Sequence, residues 1–214
     1  MLAETGRNNG LAQAATSLHL AEEDLVRAHW YGLLGAVLRA APERARLEQL
    51  AALRGDETEF GESISALAEA ARRAAAADPK VLQQEYFDLF VGIGRGELLP
   101  YGSYYLAGFL YEKPLARLRA DMRRLGIARA AGVREPEDHI AALMEMMSGL
   151  ITGAFGEPAD IATQRDFFAA HLGSWGLRFS EDLEAADGAE FYRAVGGLCR
   201  RFLAIEAEAF EMTA

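Results

Sequence analysis

An all-α fold is the expectation, and three observations carry it. The 214 residues include 41 Ala and 28 Leu but only 6 Val, 7 Ile and 6 Thr. Ala and Leu suit helices, whereas β-branched side chains favour strands. Apolar residues recur at helical spacing in long stretches. Turn signals such as Pro42, Gly55, Asp78-Pro79, Pro114 and Glu157-Pro158 separate those stretches.

In chain order, residues 1–17 are polar and read as a disordered tail. A first helix is expected over 21–40, with Val26, Trp30, Leu33, Leu34, Val37 and Leu38 on one face, and Pro42 stops it. A second runs over 43–53. A third, 57–77, is amphipathic through Ile64, Leu67, Ala68 and Ala71. Asp78-Pro79 starts a fourth over 79–91, since Asp caps and Pro fits the first helical position. Gly92, Gly94 and Gly96 end it and open a loop to Gly102, and Ser103 is placed to cap a short helix through Tyr111. Pro114 starts a helix that Gly126 ends. Pro136 starts another to Thr152, with Ile140, Leu143, Met144, Met147, Leu150 and Ile151 on one stripe. Stretches 159–173, 175–186 and 189–211 complete nine or ten helices. Residues 127–134 are the candidate hinge, dividing an N-lobe (18–126) from a C-lobe (135–214) of one helical domain.

The formal net charge of −10 opposes a phosphate backbone, so nucleic acid is not an expected partner. It suits a basic peptide, and it also suits plain solubility. The single cysteine, Cys199, excludes an internal disulfide and a cysteine-rich metal site, and its apolar neighbours make it a core residue. No apolar run reaches bilayer length and the first residues do not form a secretory signal, so a cytoplasmic protein without membrane insertion is expected. Three Arg-Arg pairs, at 72–73, 123–124 and 200–201, lie within helical stretches rather than in an export signal.

The segment Glu85 to Tyr105 holds six aromatics, four glycines and Pro100. Its glycines follow a helix rather than a strand, and no Gly-Lys-Ser/Thr follows, so a phosphate-cradling loop is not the reading. Phe87 and Phe90 read as core. Tyr101, Tyr104 and Tyr105 cluster at a Pro-Tyr-Gly-Ser turn, and tyrosines serve well at groove rims. Further on comes Glu135-Pro-Glu-Asp-His139. The acids Glu137 and Asp138 suit the positive end of a helix that begins at Pro136, but that leaves His139 unexplained. Adjacent helical residues diverge by about 100°, so Asp138 and His139 do not form a relay with each other. The four histidines show no paired metal-ligand spacing, and no Gly-x-Ser-x-Gly elbow exists.

Tyr86-x-x-Leu89-Phe90-x-Gly92, Pro100-Tyr101-x-Ser103-x-Tyr105 and Glu135-Pro136-x-Asp138-His139, with a weaker echo at Phe168-x-x-His171-Leu172-x-x-Trp175, occur in that order. In this the chain resembles the TorD/DmsD family of redox-enzyme maturation chaperones over residues 21–210. The resemblance implies a two-lobed helical chaperone, not an enzyme, with no cofactor of its own. It implies as partner the apo form of a DMSO-reductase-type molybdoenzyme and its twin-arginine signal peptide, held until cofactor insertion and then released for export. Matched residue by residue, it implicates Tyr86, Leu89, Phe90, Pro100, Tyr101, Tyr105, Pro136, Asp138 and His139 in peptide recognition, with Tyr where some relatives carry Trp. The carboxylates of Glu135, Glu137 and Asp138 can bond guanidinium groups, and His139 can anchor a peptide carbonyl or tune the pocket near neutral pH. A monomer or a domain-swapped dimer is compatible with a hinge. The rival readings are an all-α small-ligand regulator and a helical hydrolase using His139 or His171.

Overall fold

The computed structural model describes residues 20–130 and 132–212. The expected tail, His19 and Ala131 lie outside the described residues. Among the described residues there are ten α-helices and no strand. They are α1 (Glu22–Arg39), α2 (Arg44–Ala51), α3 (Glu59–Ala76), α4 (Pro79–Tyr86), α5 (Gly102–Ala107), α6 (Lys113–Arg124), α7 (Ile140–Thr152), α8 (Ile161–Phe168), α9 (Gly176–Ala185) and α10 (Phe191–Met212). Single π-helical turns, Phe87–Val91 and Ala169–Gly173, continue α4 and α8. No helix is long and apolar enough to cross a membrane.

Local chemistry sets several helix starts. Thr58 accepts from Gly61 N, Asp78 from Lys80 N and Asp160 from Thr163 N, each satisfying a donor that a helix start leaves open. Glu22, Glu23 and Asp24 place negative charge on the first turn of α1. Packing then orders the helices. α7 is buried on most of its surface and lies along α1. Gly35 permits the approach, because a Cβ there would stand 3.2 Å from the Ala141 carbonyl oxygen. α10 packs on α3 and α9. One hydrophobic core runs from Tyr31 on α1 to Phe210 on α10 and takes residues from both sides of 127–134, with Ile127 of that segment buried in it.

Four expectations are corrected. The helix expected from Pro136 begins at Ile140, because the backbone of residues 138–140 pairs with residues 100–102 instead of coiling. Glu137 and Asp138 therefore precede the helix rather than fill its first turn. The helix expected to reach Tyr111 ends at Ala107, and Tyr111 adopts a left-handed φ of 64°. Ser103 lies inside α5 and does not cap it; its hydroxyl bonds Asp138. Phe87, expected in the core, is exposed at the π turn.

Candidate functional site

Two segments far apart in sequence are clipped together by a short antiparallel bridge between Tyr101 and His139. Gly102 N donates to Asp138 O at 2.9 Å, and Ile140 N donates to Pro100 O at 2.9 Å. The second bond satisfies a donor that the start of α7 would otherwise leave open. Gly102 is needed here, since a Cβ would sit 3.0 Å from Trp175 Nε1. That indole N–H in turn donates to the His171 carbonyl at 2.7 Å.

Side chains lock the clip. Asp138 is 3% exposed, and its Oδ2 accepts from Ser103 N at 2.7 Å and from Ser103 Oγ. Its Oδ1 is buried with no hydrogen-bond partner among the described residues. His139 is 6% exposed and caps α7, its Nδ1 accepting from Ala141 N at 3.1 Å. The ring proton therefore sits on Nε2. Burial, and then the nearby Arg39 charge, push the His139 pKa down to about 3. The expectation that His139 tunes the site near neutral pH is thus corrected: the ring is neutral there. The Tyr101 ring meets the His139 ring edge-on at 5.2 Å, and its hydroxyl donates to the exposed Glu135 carboxylate. Burial and Glu135 together raise the Tyr101 pKa.

The remaining candidates divide. Tyr86 is half-buried, donates to the Arg39 carbonyl at 2.6 Å and stacks on Phe90 and Tyr192, 5.1 and 5.8 Å away. Burial and the Glu135 charge raise its pKa, which puts it in the electrostatic reach of the clip. Leu89 is buried in the core. Phe90 packs on Tyr192 at 5.2 Å. Tyr105 faces α9 instead, donating to Asp182 at 2.8 Å and packing on Trp175.

A cavity of about 340 Å³ opens beside Glu135, Pro136 and Glu137. Its apolar walls are Met122, Ile127, Val133, Ala142, Met146 and Phe155. Charged groups ring it. Arg39 grips Glu145 through two bonds of 2.9 and 2.7 Å. Glu137 takes Arg119 at 3.0 and 2.8 Å and Arg129 at 3.6 Å. Burial works against the Glu137 carboxylate, but the bonded Arg119 holds its pKa below the usual value. The cavity and the Arg39–Glu145 pair were not found by sequence reasoning, because their parts are spread from α1 to α7 and share no local motif.

Catalytic arrangements are not formed around either histidine. Ser103 bonds Asp138, His139 Nδ1 bonds a backbone N–H, and His171 Nε2 bonds Asp121 at 2.8 Å. Burial raises the Cys199 pKa to about 12. Among the described residues no group of three His, Cys, Asp or Glu side chains could hold a metal ion.

Known proteins are similar to this chain in sequence and in fold. The family model described as nitrate reductase delta subunit matches residues 53–181. The chaperone protein TorD of Aliivibrio fischeri is 28% identical over 200 residues, covering 85% of this chain and 93% of that one. A TorD chaperone of Vibrio cholerae is 28% identical over 193 residues, covering 86% of this chain and 81% of its own. A solved chain described as a redox enzyme maturation protein from Archaeoglobus fulgidus shares the fold at a TM-score of 0.57 and 22% identity, covering 92% of this chain and 99% of that one. With a family match over more than half its length, the chain belongs to the nitrate reductase delta subunit family, which includes the TorD chaperones.

Proposed function

We propose that this protein is a chaperone for the maturation of a molybdenum redox enzyme, and that it binds the enzyme's twin-arginine signal peptide at the corner formed by Tyr101, Glu135, Pro136 and the cavity beside them. The relatives are named chaperones, which supports a binding protein rather than an enzyme. The observation that carries the site is the clip: it joins the Pro100–Ser103 turn to Asp138–His139 next to an apolar cavity with a charged mouth. A signal peptide supplies matching chemistry, namely guanidinium groups followed by an apolar run.

Within this reading the residues take different parts. Glu135, exposed and hydrogen-bonded by Tyr101, faces the peptide. Asp138 and His139 are buried and hold the corner in shape, while Leu89 and Phe90 support it from the core. Residues 127–130 and Val133 form part of the cavity wall, so a hinge there would couple lobe movement to the size of the cavity. The partner is the apoenzyme with its signal peptide, met in the cytoplasm before export.

Calorimetric titration with a twin-arginine signal peptide tests the proposal. Saturable binding at micromolar concentration or tighter is expected, together with a loss when both arginines become alanine. Equal affinity for the two peptides would remove arginine recognition, and absence of binding to both would remove the peptide site.

A further inference from the structure

Glu145 lies outside every motif that the sequence singles out. It projects from α7 at the cavity mouth and receives the Arg39 guanidinium side-on, through Nε to Oε1 at 2.9 Å and Nη2 to Oε2 at 2.7 Å. That is the two-bond geometry by which a carboxylate selects arginine over lysine. Its setting differs from that of Glu137 at the same mouth. The Glu137 side chain is 10% exposed and held by two arginines, whereas the Glu145 side chain is 50% exposed and held by one.

We infer that Glu145 is the seat for an arginine of the bound peptide and that Arg39 occupies this seat in the free protein, with the apolar run that adjoins the arginine entering the cavity below. The inference rests on the peptide-binding reading given above and specifies the residue that reads the guanidinium. Charge complementarity carries it. The position already holds a guanidinium in bidentate register, so a ligand arginine needs no rearrangement of Glu145. Exchange is cheap, because exposed ion pairs contribute little to stability. Displacement of the Arg39 side chain leaves the fold intact, since Tyr86 is bonded to the Arg39 backbone carbonyl and not to its guanidinium. Glu135 at the same mouth has no cationic partner among the described residues and offers the displaced Arg39 a carboxylate. Below the mouth, Met122 and Met146 present flexible thioether side chains that adapt to varied apolar residues.

The test titrates the twin-arginine peptide and its twin-lysine counterpart into the wild-type protein, Arg39→Ala and Glu145→Gln. Arg39→Ala is expected to bind the arginine peptide roughly two- to fivefold more tightly, the change that matches relief from competition with an exposed ion pair. Glu145→Gln is expected to bind it about tenfold more weakly and to lose the preference for arginine over lysine. If the wild-type protein binds the arginine peptide but Arg39→Ala binds no more tightly, or Glu145→Gln keeps both affinity and preference, the placeholder role is overturned and the peptide site stands. If the wild-type protein binds neither peptide, the peptide site itself falls, and this inference with it. Both substituted side chains are partly exposed, and matching urea midpoints would establish that the variants are folded.

Discussion

Two buried carboxylates in this molecule are satisfied in different ways. Glu206 on α10 is 2% exposed and uses both oxygens: Arg27 donates to them at 2.8 and 2.9 Å, and the Tyr31 hydroxyl donates at 2.9 Å. Asp138 is as deeply buried, yet Ser103 supplies both of its bonds to one oxygen and the other has no partner among the described residues. The first network joins α1 to α10 and is complete, with Arg27 also lying over the Phe210 ring. The second joins a turn to the segment before α7 and is incomplete. A buried acceptor without a donor is costly, so the clip holds less tightly than its burial suggests. A corner that must admit a peptide benefits from that difference; a helix–helix seam does not.

Glu206→Ala is the severest way to probe the contrast. It strips a half-buried Arg27 of its main partner and leaves the Tyr31 hydroxyl without an acceptor. A loss of about 3–5 kcal/mol is expected in urea unfolding, the range for breaking a buried ion pair from one side. Asp138→Ala is expected to lose less, about 1–3 kcal/mol, because it removes the orphaned oxygen together with the two bonds to Ser103. Equal losses would break the comparison.

Comparable in size to the loss expected for Asp138→Ala is the effect of pH on the clip. In the unfolded chain His139 takes a proton near its ordinary 6.5, whereas in the folded chain it does so only near 3. The unfolded state thus binds more protons over that window. Stability is full above about pH 6.5 and declines as the pH falls toward 3. Between pH 7.5 and pH 5 the decline from this group is on the order of 2 kcal/mol. His171, also held below its ordinary value by burial against the opposing pull of Asp121, acts in the same direction. His139→Asn keeps a side-chain oxygen to cap α7 and removes the titrating ring. Its unfolding free energy should change less over this pH range than that of the wild-type protein, and an equally steep profile would assign the dependence elsewhere.

Much of the fold was legible from local patterns. The Asp78-Pro79 start of α4 and the apolar stripe of α7 were visible because each depends on neighbours in sequence. Where α7 begins was not visible. Pro136 with two acids is a sound local start signal, but the bridge to Pro100 and Gly102 claims the backbone of residues 138–140, and that pairing spans a separation no local pattern encodes. The same reason limited the site. The family resemblance grouped Asp138, His139 and Tyr101 by their motifs without saying how they meet; the Tyr101–His139 bridge, the burial of Asp138 and His139 and the exposure of Glu135 are visible only in the structure. Glu145 reads as one exposed acid on an apolar helix until Arg39, 106 residues away, is brought against it.

The smallest effect asks whether the rim of the clip is separable from its buried half. Tyr101→Phe removes the hydroxyl that donates to Glu135 and retains the ring that stands edge-on to His139. The bond joins a half-buried donor to an exposed carboxylate, so its loss should cost no more than about 1 kcal/mol in urea unfolding. The Glu135 carboxylate thereby loses its one side-chain donor among the described residues and becomes free to follow a ligand, while Arg129 still holds the Glu135 carbonyl. In titration with the twin-arginine peptide the variant should therefore bind about as well as the wild-type protein, while Asp138→Ala, which loosens the clip itself, should bind more weakly. A Tyr101→Phe protein as unstable as Asp138→Ala would mean that rim and buried half act as one unit, and the contrast between a complete seam and a yielding corner would then have to be drawn around the whole clip rather than around Asp138.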